Sequence, residues 1–156
     1  MPVFQLIEEH VFPHPELAEP NGLLAVGGDL STSRLIAAYR HGIFPWFSEG
    51  DPILWWFTSP RLILVPEELK VSKRLNRYWK NTTYTLTINR AFDKVIEACA
   101  SIPRKENEGT WITREMISAY KELHQKQVAL GVGGSVAVGG DANPLVACGV
   151  RLHGVC

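Results

Sequence analysis

The chain has 156 residues, 46% of them apolar, and a formal net charge of zero. That is enough for one ordinary domain with a core, and the balanced charge excludes a global field that would hold nucleic acid, so any such contact needs a local basic patch. No apolar run approaches the roughly 18 residues of a membrane helix, and the first ten residues lack the basic region and apolar stretch of a signal peptide.

Residues 11–29 are rich in Pro and Gly and read as ordered loop, with Phe12, Leu17, Leu23, Leu24 and Val26 as apolar anchors. Asn21-Gly22 and Gly27-Gly28 are turn signals. The segment 27–35 lacks the Gly-Lys-Ser/Thr ending of a phosphate loop and reads as a turn presenting a helix. Ser31 suits the N-cap of that helix, expected over 32–41, with Leu35, Ala38 and Tyr39 as its apolar stripe and Gly42 as its stop. A loop containing Pro45 and a second aromatic segment, 52–57, follow.

From Arg61 the texture changes. Residues 61–65 read as a strand ended by Pro66. Ser72 caps a short helix in which Leu75, Tyr78 and Trp79 can point inward. Residues 84–88 alternate as a strand. Phe92, Val95, Ile96 and Cys99 recur at i, i+3, i+4 and i+7 on the next helix, so Cys99 reads as core. After a polar loop, Thr113 caps a third helix whose stripe is Met116, Ile117, Tyr120 and Leu123. The order β-α-β-α-α points to an α+β sheet domain. Residues 127–156 hold seven glycines and only two charged residues, Asp141 and Arg151, and show neither a helical stripe nor strand alternation. A sheet domain begun at residue 61 then lacks strands.

Chemistry is sparse. Cys99, Cys148 and Cys156 lack metal-ligand spacing, as do His10, His14, His41, His124 and His153, and a reducing cytoplasm is the simple expectation. The aromatics Phe44, Trp46, Phe47, Trp55 and Trp56 can form core. Trp46, on a loop between Pro45 and Phe47, can instead stack a nucleobase, and Trp111 before a helix cap is a second platform. Lys73, Arg74, Arg77 and Lys80 crowd one short helix without a negative charge, which reads either as a solvated face or as a phosphate-contacting stripe.

The run Glu19-Pro-Asn-Gly-Leu-Leu-Ala-Val-Gly-Gly-Asp-Leu-Ser31 is very similar to the hallmark of leucyl/phenylalanyl-tRNA–protein transferases. So are Arg34-Leu35, Ala38-Tyr39, Gly42-Ile-Phe-Pro-Trp-Phe47, Asp51-Pro-Ile-Leu-Trp-Trp56, Ser59-Pro-Arg61, Gly109-Thr-Trp-Ile-Thr113 and Leu123-His124. This resemblance spans the first 126 or so residues and implies three parts: a small N-terminal α+β domain (1–60), the start of an incomplete acetyltransferase-like (GNAT-like) sheet domain (61–126), and a Gly-rich tail (127–156) outside the family pattern, which a frame change or truncation near codon 126 is expected to have produced.

The resemblance implies a monomeric cytoplasmic aminoacyltransferase, not bound to membranes, that moves Leu or Phe (also Met) from aminoacyl-tRNA to proteins beginning with Arg or Lys. That step marks them for N-end-rule degradation. Aminolysis of an already activated ester needs positioning, a neutral amine and donors for the oxyanion, so no metal or cofactor is expected. Trp46 and Trp111 match positions that hold the 3′-terminal adenosine, Tyr39 and Tyr120 match positions in or near that site, and Lys73, Arg74, Arg77 and Lys80 match a tRNA-contacting helix. No catalytic acid or base carries over to a residue of this chain. The alternative reading is a catalytically dead fragment that at most binds the tRNA acceptor end.

Overall fold

The computed structural model describes residues 3–7, 9–61, 65–81, 85–101, 110–138, 141–143 and 150–152, and among these described residues it has four α-helices and two small sheets. The architecture is mixed α/β. The first sheet has the order β1-β2-β4-β3, built from β1 (Phe4–Leu6), β2 (Leu23–Gly27), β3 (Phe44–Pro45) and β4 (Leu54–Trp56). β1 runs parallel to β2; the other two pairings are antiparallel. The Pro- and Gly-rich stretch expected as loop thus contains β2. Its Leu24 and Ala25 are fully buried, because pairing on both edges satisfies the backbone where local sequence signals only turns.

Helix α1 (Thr32–Arg40) starts where Ser31 predicts: the Ser31 hydroxyl accepts from the Arg34 amide. Asp29 in turn accepts from the Ser31 amide at 2.8 Å. Burial pushes the Asp29 carboxyl up, but its bonds to Ser31 and the Arg34 guanidinium outweigh this and hold it below its usual value. Arg34 is wholly buried and donates to the carbonyls of Ile7 (2.8 Å) and Glu9 (3.1 Å). It thereby fastens the strand leaving β1 to the start of α1. The guanidinium lies so close to Gly28 that a Cβ there would stand 3.0 Å from Arg34 Cζ, and Gly28 also has φ +74°, so both space and backbone require glycine.

Helix α2 spans Lys73–Asn81, α3 Phe92–Ser101 and α4 Arg114–Gln125. Thr113 caps α4 as expected, accepting from the Met116 amide at 3.3 Å. The α3 and α4 stripes bury Phe92, Ile96, Cys99, Met116, Tyr120 and Leu123 in one cluster with Leu24, Leu35, Ala38, Ile43 and Trp55. The core therefore runs continuously from β2 through α1 to α4. Cys99 is core, as its stripe predicts.

α2 departs from expectation. Leu75, Tyr78 and Trp79 do not point inward; they are 55%, 54% and 57% exposed. A second departure concerns residues after Lys126, where no strand is expected. β6 (Ala129–Val138) pairs antiparallel with β5 (Thr85–Ile88), with β7 (Asp141–Asn143) and with β8 (Val150–Leu152). Ladder bonds need only the backbone, which glycine supplies, so the absent alternation hid the strand. Most of the expected strand 61–65, the start of 84–88 and the loop 103–109 lie outside the described residues.

Candidate functional site

The loop after α1 enters β3, and its short pairing with β4 sets Trp46 in place. The Trp46 amide donates to the Leu54 carbonyl at 3.0 Å. The Trp46 carbonyl accepts from Trp56 Nε1 at 2.7 Å. Both backbone groups are held while the indole stays 56% exposed. Pro45 beside it is fully buried, which anchors the loop from the other side. The ring borders a cavity of about 360 Å³ with Phe44, Leu54, Trp56, Asp51 and Thr58. Such a wall is apolar with a few polar edges, as a planar aromatic ligand needs.

Arg61 braces the same wall from behind. It donates from Nε to the Thr58 carbonyl at 3.0 Å and from its terminal nitrogen to the Gly42 carbonyl. Its guanidinium lies 5.6 Å from the Phe44 ring centre and 5.4 Å from that of Phe57. Thr58 was not singled out by sequence reasoning, Asp51 and Arg61 entered only within family-like motifs, and Trp56 only as a core candidate. The neighbours Trp55 and Trp56 split in role: Trp55 is fully buried and donates to the Gly27 carbonyl at 2.9 Å, while Trp56 lines the cavity.

A second cleft, of about 310 Å³, joins residues 47–51 to the start of α4 through Phe47, Glu49, Asp51, Thr113, Arg114 and Glu115. Phe47 and Asp51 line both spaces. Trp111 precedes this helix start and is partly buried against the core. Trp111 itself lines neither space.

Tyr39 and Tyr120 lie on the seam between α1 and α4. Their rings meet edge to face at 6.5 Å and their hydroxyls share a hydrogen bond. Burial pushes both phenols up, Tyr120 well above its ordinary value, so both remain protonated near neutral pH. They support the seam and do not line the Trp46 cavity. Lys73, Arg74, Arg77 and Lys80 are all exposed along α2. Among the described residues, no group of His, Cys, Asp and Glu is arranged to hold a metal, and no helix is long and apolar enough to cross a membrane.

The mixed α/β frame thus presents a tryptophan with a pinned backbone and an exposed basic helix. Comparison with known proteins defines the class. The family model described as leucyl/phenylalanyl-tRNA protein transferase matches residues 63–141, and that of its N-terminal domain matches residues 28–59. A leucyl/phenylalanyl-tRNA–protein transferase of Desulfotalea psychrophila is 53% identical over 157 residues, covering 99% of this chain and 67% of that protein. The one from Solidesulfovibrio magneticus is 57% identical over 124 residues, covering 80% of this chain and 50% of its own length, and that of Pectobacterium carotovorum is 55% identical over 127 residues, covering 80% and 53%. The chain belongs to the leucyl/phenylalanyl-tRNA–protein transferase family. It spans between half and two thirds of the length of these relatives, and the family match continues past Lys126 to residue 141.

Proposed function

We propose that this chain holds the charged 3′ end of an aminoacyl-tRNA in the transfer of Leu, Phe or Met to proteins beginning with Arg or Lys, in the cytoplasm and as a monomer. The observation that carries this reading is Trp46: its backbone is fixed at both the amide and the carbonyl while its ring stays open above an apolar cavity. A preset ring stacks a base without first ordering its own loop. Trp111 supplies the second aromatic contact. Lys73, Arg74, Arg77 and Lys80 take the phosphates of the same tRNA. The packing of α3 and α4 on β6 supports an acetyltransferase-like arrangement for the half that begins at residue 61, with residues 1–60 as the domain that presents Trp46.

The transfer itself is attack of a neutral α-amine on an ester carbonyl: the amide C–N bond forms, the ester C–O bond breaks, and the ribose oxygen of the tRNA leaves as a hydroxyl with the proton the amine gives up. One observation favours a second reading, binding of the acceptor end without transfer. The hydroxyls of Tyr39 and Tyr120 bond each other on the α1–α4 seam and do not line the Trp46 cavity, so neither is placed to take a proton from an amine bound there. Radiolabelled Leu-tRNA with a peptide beginning in Arg separates the readings. Label moving to the peptide establishes transfer; retention of labelled tRNA without movement establishes the second reading. A chain that neither retains nor transfers the label sinks both.

A further inference from the structure

The hairpin that carries Trp46 pairs Phe44 with Trp56 and Pro45 with Trp55. Towards its tip, the Trp46 amide continues that register to the Leu54 carbonyl. Carried two residues the other way, the same register sets Gly42 opposite Thr58. At that open end the Arg61 guanidinium takes both carbonyls: Nε donates to Thr58 at 3.0 Å and a terminal nitrogen donates to Gly42. It also lies over two rings, 5.6 Å from the centre of Phe44 and 5.4 Å from that of Phe57. Gly42 has φ +71°, and a Cβ there would stand 3.4 Å from a guanidinium nitrogen, so glycine suits both the turn and the approach. A planar fork can serve two carbonyls at fixed angles, which the point charge of a lysine cannot.

We propose that Arg61 is a positioning residue, which closes the open end of the β3–β4 hairpin and so fixes how Trp46 and Phe44 face the cavity. Its four partners divide evenly between the arms: Gly42 and Phe44 precede Trp46, and Phe57 and Thr58 follow it. The arms are not equally held by the sheet. β4 is paired on both edges, by β2 and β3, whereas β3 is two residues long and ends the sheet. The arm that leads into Trp46 is therefore the one a side-chain clamp has most to hold. Phe44 and Thr58, both in contact with the guanidinium, line the same cavity as Trp46. The effect on Trp46 stands on this geometry alone; its consequence for binding rests on the reading of the cavity as the seat of the tRNA end.

Two variants test this. Arg61→Met keeps the apolar stem and removes the fork; Arg61→Lys keeps the charge, and reads the same effect should the first not fold. In protein labelled with fluorotryptophan, the Trp46 resonance is the one that Trp46→Phe removes. Both Arg61 variants are expected to shift or broaden it without any ligand. Both are expected to weaken the Kd for Leu-tRNA about 10-fold, within the range set by losing the stack altogether. In a Trp46→Ala background the further loss should be under about 2-fold, because a residue that acts through the ring then has nothing to set. The slope of log K against log salt should not change. An unmoved Trp46 resonance overturns the proposal, as does a parent Kd in Arg61→Lys, which would mark charge alone. So does an undiminished loss in the Trp46→Ala background with a slope flatter by about 0.7–0.9, which would mark a direct phosphate contact. A parent chain that does not bind Leu-tRNA would sink the tRNA reading instead, and the fluorine resonance would still decide the role of Arg61.

Discussion

Trp56 donates its indole N–H to the backbone carbonyl of Trp46, ten residues earlier, across the β3–β4 hairpin. One tryptophan thus sets the backbone attitude of another. Trp56→Phe removes the donor and keeps most of the apolar wall. The expected cost in stability is about 1 kcal/mol, the net worth of one hydrogen bond. Affinity for the tRNA end is expected to fall several-fold although Trp46 is intact. Urea unfolding and filter binding read the two effects separately.

Trp46→Ala reverses that balance. The ring is exposed, so the thermal midpoint should stay within the change expected for a surface substitution, about 0.5 kcal/mol. Loss of one base stack is worth about 1–3 kcal/mol, which predicts roughly a 5- to 150-fold weaker Kd for aminoacyl-tRNA. An unchanged Kd would remove Trp46 from the site.

Salt separates stacking from phosphate contact. The triple variant Lys73→Ala, Arg77→Ala, Lys80→Ala is expected to flatten the plot of log K against log salt by about 2 to 3, the yield of three lost phosphate contacts. Trp46→Ala should shift the line without changing its slope. A triple variant with the parent slope would return α2 to the status of a solvated face.

The Arg34 clamp predicts a stability effect remote from any ligand. Arg34→Ala leaves the carbonyls of Ile7 and Glu9 without this donor and opens a void in a fully buried site. The expected loss is on the order of 3 kcal/mol by urea unfolding. Gly28→Ala should also destabilise, by about 1 kcal/mol or more, because its φ is positive and Arg34 occupies the space a Cβ would take.

Alkaline pH should loosen the seam between α1 and α4. Both phenols are raised by burial, so above about pH 10 the unfolded chain releases protons that the folded chain retains. Unfolding then gains and stability falls as pH rises from there; below pH 10 these groups add no slope. The thermal midpoint of Tyr39→Phe/Tyr120→Phe is expected to fall less steeply above pH 10 than that of the parent chain.

Helices were the legible part of this molecule. Ser31 and Thr113 announce α1 and α4 through their caps, and the Phe92–Cys99 spacing announces α3, because caps and stripes are local chemistry. Strands β2 and β6 were not legible. β2 owes its existence to partners on both edges, and β6 to backbone pairing in a glycine-rich run. Trp46 could be recognised as a loop tryptophan, but its fixation by Trp56 depends on the β3–β4 register, which no spacing rule supplies. For α2 the residues predicted a helix and two faces, and only the structure showed Leu75, Tyr78 and Trp79 to be more than half exposed.

At the base of α1, Thr32 bonds Glu122, and Lys126 reaches both, with Lys126 and Thr32 separated by 94 positions. In polymer terms, residues 32–126 form a loop whose two ends meet on the surface. The polar knot itself is exposed and adds little. Its position matters more: a covalent bridge of suitable geometry there would confine the unfolded chain over nearly a hundred residues, worth up to about 4–5 kcal/mol on the chain-entropy scale.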